Sequence, residues 1–362
     1  MCTNFLLSDH MGGHVQGRSI DFDYEVQSHL FFRRAGHYYA LNRPERCQFT
    51  WTGKYAVAGM DALGMDAFID GMNTQGLCGG ALWLPETVYA EHSNPANTIS
   101  SIDFPQWVLS SFATCHELIA ALGKRIPQNM DRHQFFEYPT IEGIDSPITV
   151  SPIYYKELSI SGPDGYFPLH FPFHDRTGHS VIIEFIDGQA HVYNNPVHVC
   201  TNSPQFPMQL QNLRNYMNLH HINMNTLTLN DYVIHAAGNG SGLLGLPGDP
   251  TPPSRFVRTA FLTDMTDPAN NSDEAINLAF HILNNVDVVK GMDKNPGPDG
   301  TEDYTQWMLV ADMDRLIYSI RYHQSPQVAA IHFDDIDWDM MDSKTYLPTI
   351  PLYEKIQLNM QL

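Results

Sequence analysis

The sequence lacks long hydrophobic runs and is poor in positive charge. It has no run of about 18 apolar residues of the kind a membrane-spanning helix needs, and no basic leader or lipidation signature. Only 20 Lys and Arg stand against 40 Asp and Glu, so the formal net charge is −20. Such a charge repels polyphosphates and anionic membrane surfaces. We therefore expect a soluble chain that neither binds nucleic acid nor inserts into a membrane.

The sequence also lacks the cysteine and histidine spacings that are typical of disulfide frameworks and metal sites. The five cysteines are odd in number and form no Cys-x-x-Cys pair, so they indicate neither a disulfide framework nor a zinc site. The 18 histidines show no ligand spacing, and His220 and His221 point to different faces of any regular element. We predict no metal site and no cofactor. The cysteines are Cys2, Cys47, Cys78, Cys115 and Cys200.

The chain does have enough apolar material for a substantial core. It is 362 residues long and 43% hydrophobic, which fits one large domain or two moderate ones. No linker, internal repeat or low-complexity tract divides it, so we predict one domain over 1–362. An irregular excursion at about 127–171 is rich in Pro, Tyr, Phe and Gly. Its role cannot be read from these residues.

Hairpin patterns predict antiparallel sheets. A strand-like segment at 2–7 is followed by a turn at 10–14 and a returning segment at 15–22. Hairpins in place of strand-helix-strand crossovers favour an α+β domain in which helices cover antiparallel sheets. Further strand pairs are predicted at 180–185 with 190–193, and at 307–311 with 316–321.

Two amphipathic helices are predicted to cover these sheets. Asp103 is a good N-cap for a helix whose apolar residues recur every three or four positions until Gly123. A second helix is predicted after Asn271 and Ser272, because acidic residues occupy its first turn.

The N-terminus, Met1-Cys2-Thr3, carries a candidate nucleophile. A small second residue allows the initiator methionine to be removed, which leaves Cys2 with a thiol and a free α-amine. An α-amine titrates near ~7.7–8.0 and a thiol near ~8.5, so the amine can take the thiol proton at neutral pH. The alternative is that Cys2 is a small buried apolar residue, as most cysteines are.

Three later segments carry polar residues beside predicted turns, and each alone has an ordinary structural explanation. The first fits a turn before a buried strand, the second a turn or helix cap, and the third a rigid loop that enters a helix with surface arginines. The segments are Asp70-Gly71-Met72-Asn73 with Gly76-Leu77, Thr201-Asn202-Ser203-Pro204, and Pro247-Gly248-Asp249 with Ser254-Arg255-Phe256.

Together with Met1-Cys2-Thr3 and Gly17-Arg18-Ser19-Ile20-Asp21-Phe22, these segments occur in an order that closely resembles the choloylglycine hydrolase family. This family comprises bile salt hydrolases and penicillin V acylases among the N-terminal nucleophile amidases. The resemblance covers most of the chain. It implies a four-layer αββα sandwich, a reaction without a cofactor, and a homo-oligomer that is commonly a homotetramer.

The resemblance also implies roles for residues around the N-terminus. Cys2 would be the nucleophile and its own α-amine the base. Arg18 would lie beside the thiol, and Asp21 would hold the amine. Arg255 would help stabilise the region of the charged thiolate.

Asn202 and the backbone N–H of Trp83 would bind the oxyanion, since a carbonyl under attack develops negative charge and one preorganised donor is worth ~10²–10³ in rate. Many bile salt hydrolases place asparagine where Trp83 stands, so only the backbone role transfers. Tryptophan resembles the branch from Gram-negative bacteria, where penicillin V acylases and acyl-homoserine-lactone acylases occur beside bile salt hydrolases. We predict that the Trp83 ring lines the acyl pocket; the alternative is a plain core residue.

These residues favour hydrolysis of linear, non-peptide C–N amide bonds through a thioester. We expect penicillin V-like or fatty-acyl amides, such as acyl-homoserine lactones, as substrates, with conjugated bile salts as the alternative. A rival outside the enzyme class is a catalytically silent small-molecule-binding protein in which Met1 stays on the chain. The compartment is left open: cytoplasmic if Met1 is the natural start, periplasmic if an export signal has been removed.

Overall fold

Two large antiparallel sheets form the centre of the protein, in a computed structural model that describes residues 1–40, 43–90, 94–124, 140–158, 165–296, 300–340, 344–345 and 350–353. The first sheet has seven strands. In spatial order they are β15 (Val199–Cys200), β1 (Cys2–Ser8), β2 (His14–Phe22), β19 (Glu302–Asp312), β20 (Ile317–Tyr322) and β21 (Ala329–His332), with β18 (Asp293–Lys294) also paired to β19.

The second sheet has nine strands. In spatial order they are β14 (Gln189–Asn194), β13 (Ser180–Ile186), β12 (Leu169–His174), β8 (Cys78–Gly80), β7 (Asp70–Asn73), β6 (Val57–Met60), β3 (Leu30–Arg33) and β22 (Lys344–Thr345), with β9 (Leu82–Trp83) also paired to β12. Separate pairs are β4 (Tyr38–Tyr39) with β5 (Trp51–Thr52), β10 (Thr98–Ser100) with β11 (Thr149–Ser151), and β16 (Thr226–Leu229) with β17 (Tyr232–His235).

Helices cover the outer face of each sheet. The helices are α1 (Phe104–Ser111), α2 (Cys115–Ala121), α3 (Phe206–Asn212), α4 (Pro252–Met265) and α5 (Ser272–Asn284). On the first sheet, α4 packs against β1 and α5 against β2 and β19, whereas α1 packs against β7 and β8 of the second. One apolar core joins the two sheets to α4 and α5, and another joins the second sheet to α1 and α2. The predicted α+β, four-layer αββα architecture is confirmed.

The predicted hairpins are also confirmed. β1 and β2 pair with Cys2 opposite Ile20, and β13 pairs with β14 and β19 with β20 close to the predicted bounds. The helix predicted after Asn271 is α5, and the Asn271 side chain caps it by accepting the Glu274 N–H. Local turn and capping chemistry is sufficient to set these elements.

The single helix predicted from Asp103 to Gly123 is wrong. Two helices occupy this range. The backbone of Phe112 is extended, which ends the first helix, and the side chain of Thr114 caps the start of the second by accepting the Glu117 N–H. Both helices keep their apolar residues on the core side, so periodicity alone did not reveal the break. Asp103 stands at the start of α1 but makes no capping bond, and its carboxylate instead binds Arg43.

The predicted excursion at 127–171 lies partly outside the described residues, which omit 125–139 and 159–164. Within the rest of it, β11 pairs in parallel with β10, and β12 begins at Leu169. The expectation of one domain over 1–362 stays a prediction. Among the described residues, no helix has the length and apolarity required to cross a membrane.

Candidate active site

The N-terminal strand places Cys2 inside the sandwich, with only 3% of the residue exposed. Met1 continues the pairing of β1 with β2. Its α-amine donates to the Asp21 carbonyl, and the Asp21 N–H donates to the Met1 carbonyl at 2.7 Å. While Met1 is attached, the Cys2 nitrogen is a peptide nitrogen and lacks the basicity of an amine.

Asn202 reaches the backbone of Cys2 from the loop after β15. Its Oδ1 accepts the Cys2 N–H at 2.7 Å and an Arg255 Nη2 hydrogen at 2.8 Å. Two donors on one atom identify it as the amide oxygen. The Asn202 Nδ2 donates to the Trp83 carbonyl at 2.7 Å and keeps a second hydrogen. The oxyanion roles of Asn202 and the Trp83 N–H stay predictions.

Arg255 reaches the same point from the first turn of α4, a helix that begins with prolines suited to that position. Its Nη1 donates to the Cys2 carbonyl at 2.5 Å and to Thr3 Oγ1 at 2.7 Å. Burial lowers the pKa of Arg255, whereas the charges of Asp21 and Cys2 oppose this shift. The fully buried guanidinium is therefore kept in place by acceptors on the N-terminal strand.

Arg18 is a second fully buried cation near Cys2. Its Nη1 donates to Asp70 Oδ2 at 3.0 Å and its Nη2 to the Ala81 carbonyl at 2.5 Å. Gly80 leaves room for it, because a Cβ there would lie 2.7 Å from Nη1. Burial lowers the pKa of Arg18, but the charges of Asp70 and Cys2 outweigh this and raise it. Burial also raises the pKa of Asp70, to about 6, against the effect of Arg18.

Asp21 lies opposite Met1, and its carboxylate faces neighbouring hydroxyls. Thr305 Oγ1 donates to Asp21 Oδ1 at 2.5 Å, and Ser19 Oγ donates to Oδ2 at 3.2 Å. Burial raises the pKa of Asp21, whereas Arg255 and the chain's terminal amine lower it. The structure brings Asp21 beside the N-terminus, but a contact between its carboxylate and a Cys2 amine stays a prediction.

An apolar pocket opens beside Cys2, with a volume of about 600 Å³ that includes some open solvent. Trp83 forms part of its wall and packs edge-on against Phe22 and Phe167, with ring centroids 5.9 and 6.4 Å away. A larger cleft of about 1150 Å³, a volume that also includes open solvent, lies between the end of β1 and α4, and Cys2 is not among its lining residues. Chemistry rather than size therefore locates the candidate site.

A buried histidine–glutamate pair supports the Asn202 loop, and it was not predicted from the sequence. His170 Nδ1 lies 3.2 Å from Glu184 Oε1, and His170 Nε2 lies 3.0 Å from the carbonyl oxygen of Thr201. Burial disfavours the charged ring, yet Cys200 and Glu184 raise the pKa of His170 to about 10. A protonated ring donates from both nitrogens, so it fixes the residue that precedes Asn202.

Asp70 was also missed as the partner of Arg18, although it stands in a segment that carried the family resemblance. The segment was predicted as a turn before a buried strand, whereas Asp70 lies on the buried strand β7, where its carboxylate can reach Arg18. No local pattern links His170, Glu184 and Thr201, because only the folded sheet and the loop after β15 bring them together.

A buried cysteine on the first strand of an αββα sandwich, beside two buried arginines and an apolar pocket, is the arrangement expected of the N-terminal nucleophile hydrolase fold. The chain belongs to the choloylglycine hydrolase family of linear amide C–N hydrolases, which its residues 2–346 match. The predicted family and enzyme class are confirmed: the protein is an enzyme that hydrolyses linear amide C–N bonds.

Known relatives of the chain act on two kinds of amide. It is 32% identical to a bile salt hydrolase/transferase of Clostridium perfringens over 353 residues, which cover 96% of each chain. A solved variant of conjugated bile acid hydrolase from that organism has a TM-score of 0.79 at 27% identity and covers 99% of this chain and 100% of its own. Penicillin V acylase from Agrobacterium tumefaciens has a TM-score of 0.70 at 25% identity and covers 93% and 88%. Family membership therefore establishes amide hydrolysis without assigning the acyl group.

Proposed function

We propose that Cys2, once Met1 has been removed, hydrolyses amides with an aromatic or fatty acyl group, such as penicillin V or acyl-homoserine lactones. One observation carries the proposal: Cys2 lies between a buried polar cluster and an apolar pocket that contains Trp83. A substrate amide has the same two parts, because its apolar acyl chain ends in a polar carbonyl.

The reaction begins when the Cys2 thiol gives its proton to the α-amine and the sulfur attacks the amide carbonyl carbon. The C–N bond then breaks as the amine passes this proton to the leaving nitrogen, which leaves a thioester. The same amine next takes a proton from water, and the resulting hydroxide attacks the thioester. Breakage of the C–S bond releases the acid and restores the thiol.

The surrounding residues support each part of this reaction. Asn202 Oδ1 lies 2.7 Å from the Cys2 nitrogen, so it can accept a hydrogen of the free amine and direct the amine lone pair. Arg255 fixes the carbonyl of Cys2 at 2.5 Å. The positive charge of Arg18 favours a negative sulfur. Asn202 Nδ2 and the Trp83 N–H serve the oxyanion in this proposal.

Aromatic residues support the choice of acyl group. Trp83, Phe22, Tyr24 and Phe167 line the pocket. Burial of a flat or extended acyl group against such rings can contribute a few kcal/mol of binding.

Hydrolysis of conjugated bile acids is the second candidate. The 32% identity to a bile salt hydrolase/transferase over 96% of each chain favours it. The acyl group of a bile acid conjugate would enter the same pocket, so the chemistry at Cys2 is common to both candidate substrates.

Retention of Met1 is the remaining rival, since it would give a silent binding protein. Met1 pairs with Asp21 through both backbone groups, and an acylated Cys2 nitrogen cannot act as the base. Intact mass distinguishes the two: chains that begin at Cys2 support the enzyme, and chains that all retain Met1 without turnover support the binding protein.

We also infer that the chain forms a homo-oligomer, as the family resemblance implies. The β16–β17 hairpin supports this, because every residue of both strands is exposed. A two-stranded hairpin is marginal in water when nothing packs against it. Exposed apolar side chains on it are therefore suited to a second copy of the chain.

A panel of substrates tests the proposed function. Penicillin V, penicillin G, acyl-homoserine lactones, and glycine and taurine bile conjugates would be compared by kcat/KM. The proposal expects penicillin V or an acyl lactone to rank first. A clear preference for bile conjugates would replace the substrate, and hydrolysis of none by a chain that begins at Cys2 would contradict the proposal.

A further inference from the structure

A second polar cluster lies at the opposite end of β12 from the pocket. His116 is the second residue of α2, and Asp175 and His179 lie in the turn between β12 and β13. Their ligand atoms all lie within 4.8 Å of one another. Leu169, at the pocket wall, is six residues from Asp175, so the cluster and this part of the wall lie roughly 20 Å apart along the strand.

The Nδ1 atoms of the two histidines face each other. Their Nδ1 atoms are 3.3 Å apart. His179 Nε2 contacts Asn194 Oδ1 at 3.0 Å, and because a carbonyl oxygen can only accept, the Nε2 carries the hydrogen. The neutral His179 ring therefore presents an unprotonated Nδ1. A bond from the remote nitrogen to a side-chain oxygen is a common way to orient a metal-binding histidine.

Asp175 supplies a buried carboxylate in a fixed orientation. Its Oδ1 accepts hydrogens from the backbone and hydroxyl of Thr177 at 2.9 and 2.5 Å, and its Oδ2 accepts the Cys115 N–H at 2.8 Å. A carboxylate oxygen has two lone pairs, so Oδ2 keeps one for a further partner. These bonds join the turn to the start of α2 and place a negative charge beside the histidines.

We propose that His116, Asp175 and His179 bind one divalent transition-metal ion of the zinc class. Two nitrogens on a tetrahedral Zn²⁺ with Zn–N bonds of about 2.0–2.1 Å lie about 3.3–3.4 Å apart. The observed separation of the Nδ1 atoms is 3.3 Å. Imidazole and carboxylate are ligands that zinc accepts. His116 is exposed, so water can complete the coordination.

The ion would join α2 to the β12–β13 turn, away from the reaction at Cys2. The sequence predicted no metal site because His116 lies far from Asp175 and His179 in the chain, and only the fold brings them together. Since the ion would bind the folded chain, it should raise the thermal midpoint.

Titration of metal-free full-length protein with Zn²⁺ alone tests the site. A Cys2→Ala background removes the terminal thiol, which could bind zinc itself. Calorimetry should show one Zn²⁺ per chain, and Co²⁺ should give the visible spectrum of a tetrahedral site. His116→Ala and His179→Ala should abolish this binding, and Asn194→Ala should weaken it by about 10–100-fold. His281 is an exposed histidine on α5, so His281→Ala is the matched control. It should change neither the Zn²⁺ affinity nor the Co²⁺ spectrum.

Equal Zn²⁺ affinity in the His116→Ala and His281→Ala proteins would overturn the site, as would no saturable binding in the background protein. That result would assign the cluster to an ordinary contact between two histidines. His116 is exposed, so its replacement is expected to leave the fold intact, which circular dichroism can verify. If His179→Ala does not fold, the His116→Ala result alone decides.

Discussion

The buried polar residues around Cys2 (the Cys2 centre: Cys2, Arg18, Asp21, Asn202 and Arg255) and the β16–β17 hairpin both reverse the usual placement of polar and apolar side chains. Arg18, Asp21 and Arg255 are each completely buried around Cys2. On the hairpin, apolar side chains face solvent: Leu227 is 51% and Tyr232 is 72% exposed. Both arrangements cost free energy in an isolated chain, so each indicates a function other than folding.

The two regions differ in how that cost is offset. Buried charges need surrounding hydrogen bonds, and they stabilise a fold poorly compared with apolar residues. At the Cys2 centre, such bonds converge on the backbone of the nucleophile. On the hairpin, exposed apolar surface indicates an interaction site. Substitutions in the first region should therefore affect turnover, and substitutions in the second should affect association.

Cys2→Ala should have the largest effect, complete loss of turnover with the fold retained. The reason is that no other described cysteine lines the pocket. Activity per chain and circular dichroism are the measurements. Cys47→Ala is the matched control: it also removes a buried free thiol, but it should act only on stability. Comparable turnover in Cys2→Ala would end the account of the active site.

Asn202→Ala should lower kcat by roughly 10²–10³ if the amide donates to the oxyanion. Asn202→Asp separates its two roles, because a carboxylate still accepts from Cys2 and Arg255 but has no Nδ2 hydrogens. Equal losses in both variants would identify the donor as the catalytic part. A near-normal kcat in Asn202→Asp would assign Asn202 to positioning alone.

Trp83→Ala should change substrate preference. Loss of about 1.4 kcal/mol of ring contact corresponds to about tenfold in kcat/KM for phenoxyacetyl or fatty-acyl amides, while relative activity on bile conjugates is kept or gained. Phe112→Ala removes an aromatic side chain of similar exposure outside the pocket and serves as the control. If Trp83 is only a core residue, unfolding free energy would fall by ~3–5 kcal/mol with an unchanged substrate ranking.

The pH dependence should show the ionisation of Asp70. Its pKa is raised to about 6, so protonation below that pH removes the negative partner of Arg18. We expect kcat/KM to fall by up to about tenfold per pH unit there. The free energy of unfolding should change in the opposite direction. Because the folded state raises the pKa of Asp70, protonation of Asp70 stabilises the fold; this contribution is complete below the ordinary pKa of 3.8 and is lost as the pH rises through about 6.

Asp70→Asn should remove this acid limb of the activity profile and the matching slope in stability. Tyr318→Phe is a useful comparison, since the tyrosine hydroxyl donates to the same carboxylate at 2.9 Å but carries no charge near neutrality. An acid limb that persists unchanged in Asp70→Asn would assign it to another group.

The hairpin should give the smallest effect on catalysis. A Leu227→Ser, Tyr232→Ser double variant should weaken self-association, measured by sedimentation, while kcat per chain stays within about twofold, since exposed substitutions rarely disturb a fold. Thr226→Ser on the same strand is the control. A loss of turnover comparable to that of Asn202→Ala would remove the distinction between the two regions.

Much of the fold was predictable because its signals are local. Turn residues at 10–14 and the cap at Asn271 identified a hairpin and a helix correctly. The break at Phe112 was not predictable from periodicity, since both helices face the same core. The predicted capping bond from the Asp103 side chain is also absent, because Arg43, which lies 60 residues away in the chain, binds its carboxylate instead.

The candidate site was predictable only as a set of residues. The family resemblance identified Cys2, Arg18, Asn202 and Arg255, and the structure joins Asn202 and Arg255 to the Cys2 backbone. Their partners were not predictable, because each depends on contacts between distant strands. The His170–Glu184 pair is one such case, since its link to Thr201 arises from sheet packing.

The state of the N-terminus tests the central claim most directly. Preparations with different extents of Met1 removal would be analysed by intact mass, and each would be assayed for amide hydrolysis per chain. We predict that activity is proportional to the fraction of chains that begin at Cys2, with none from chains that keep Met1. Full activity in a preparation in which every chain retains Met1 would contradict the account.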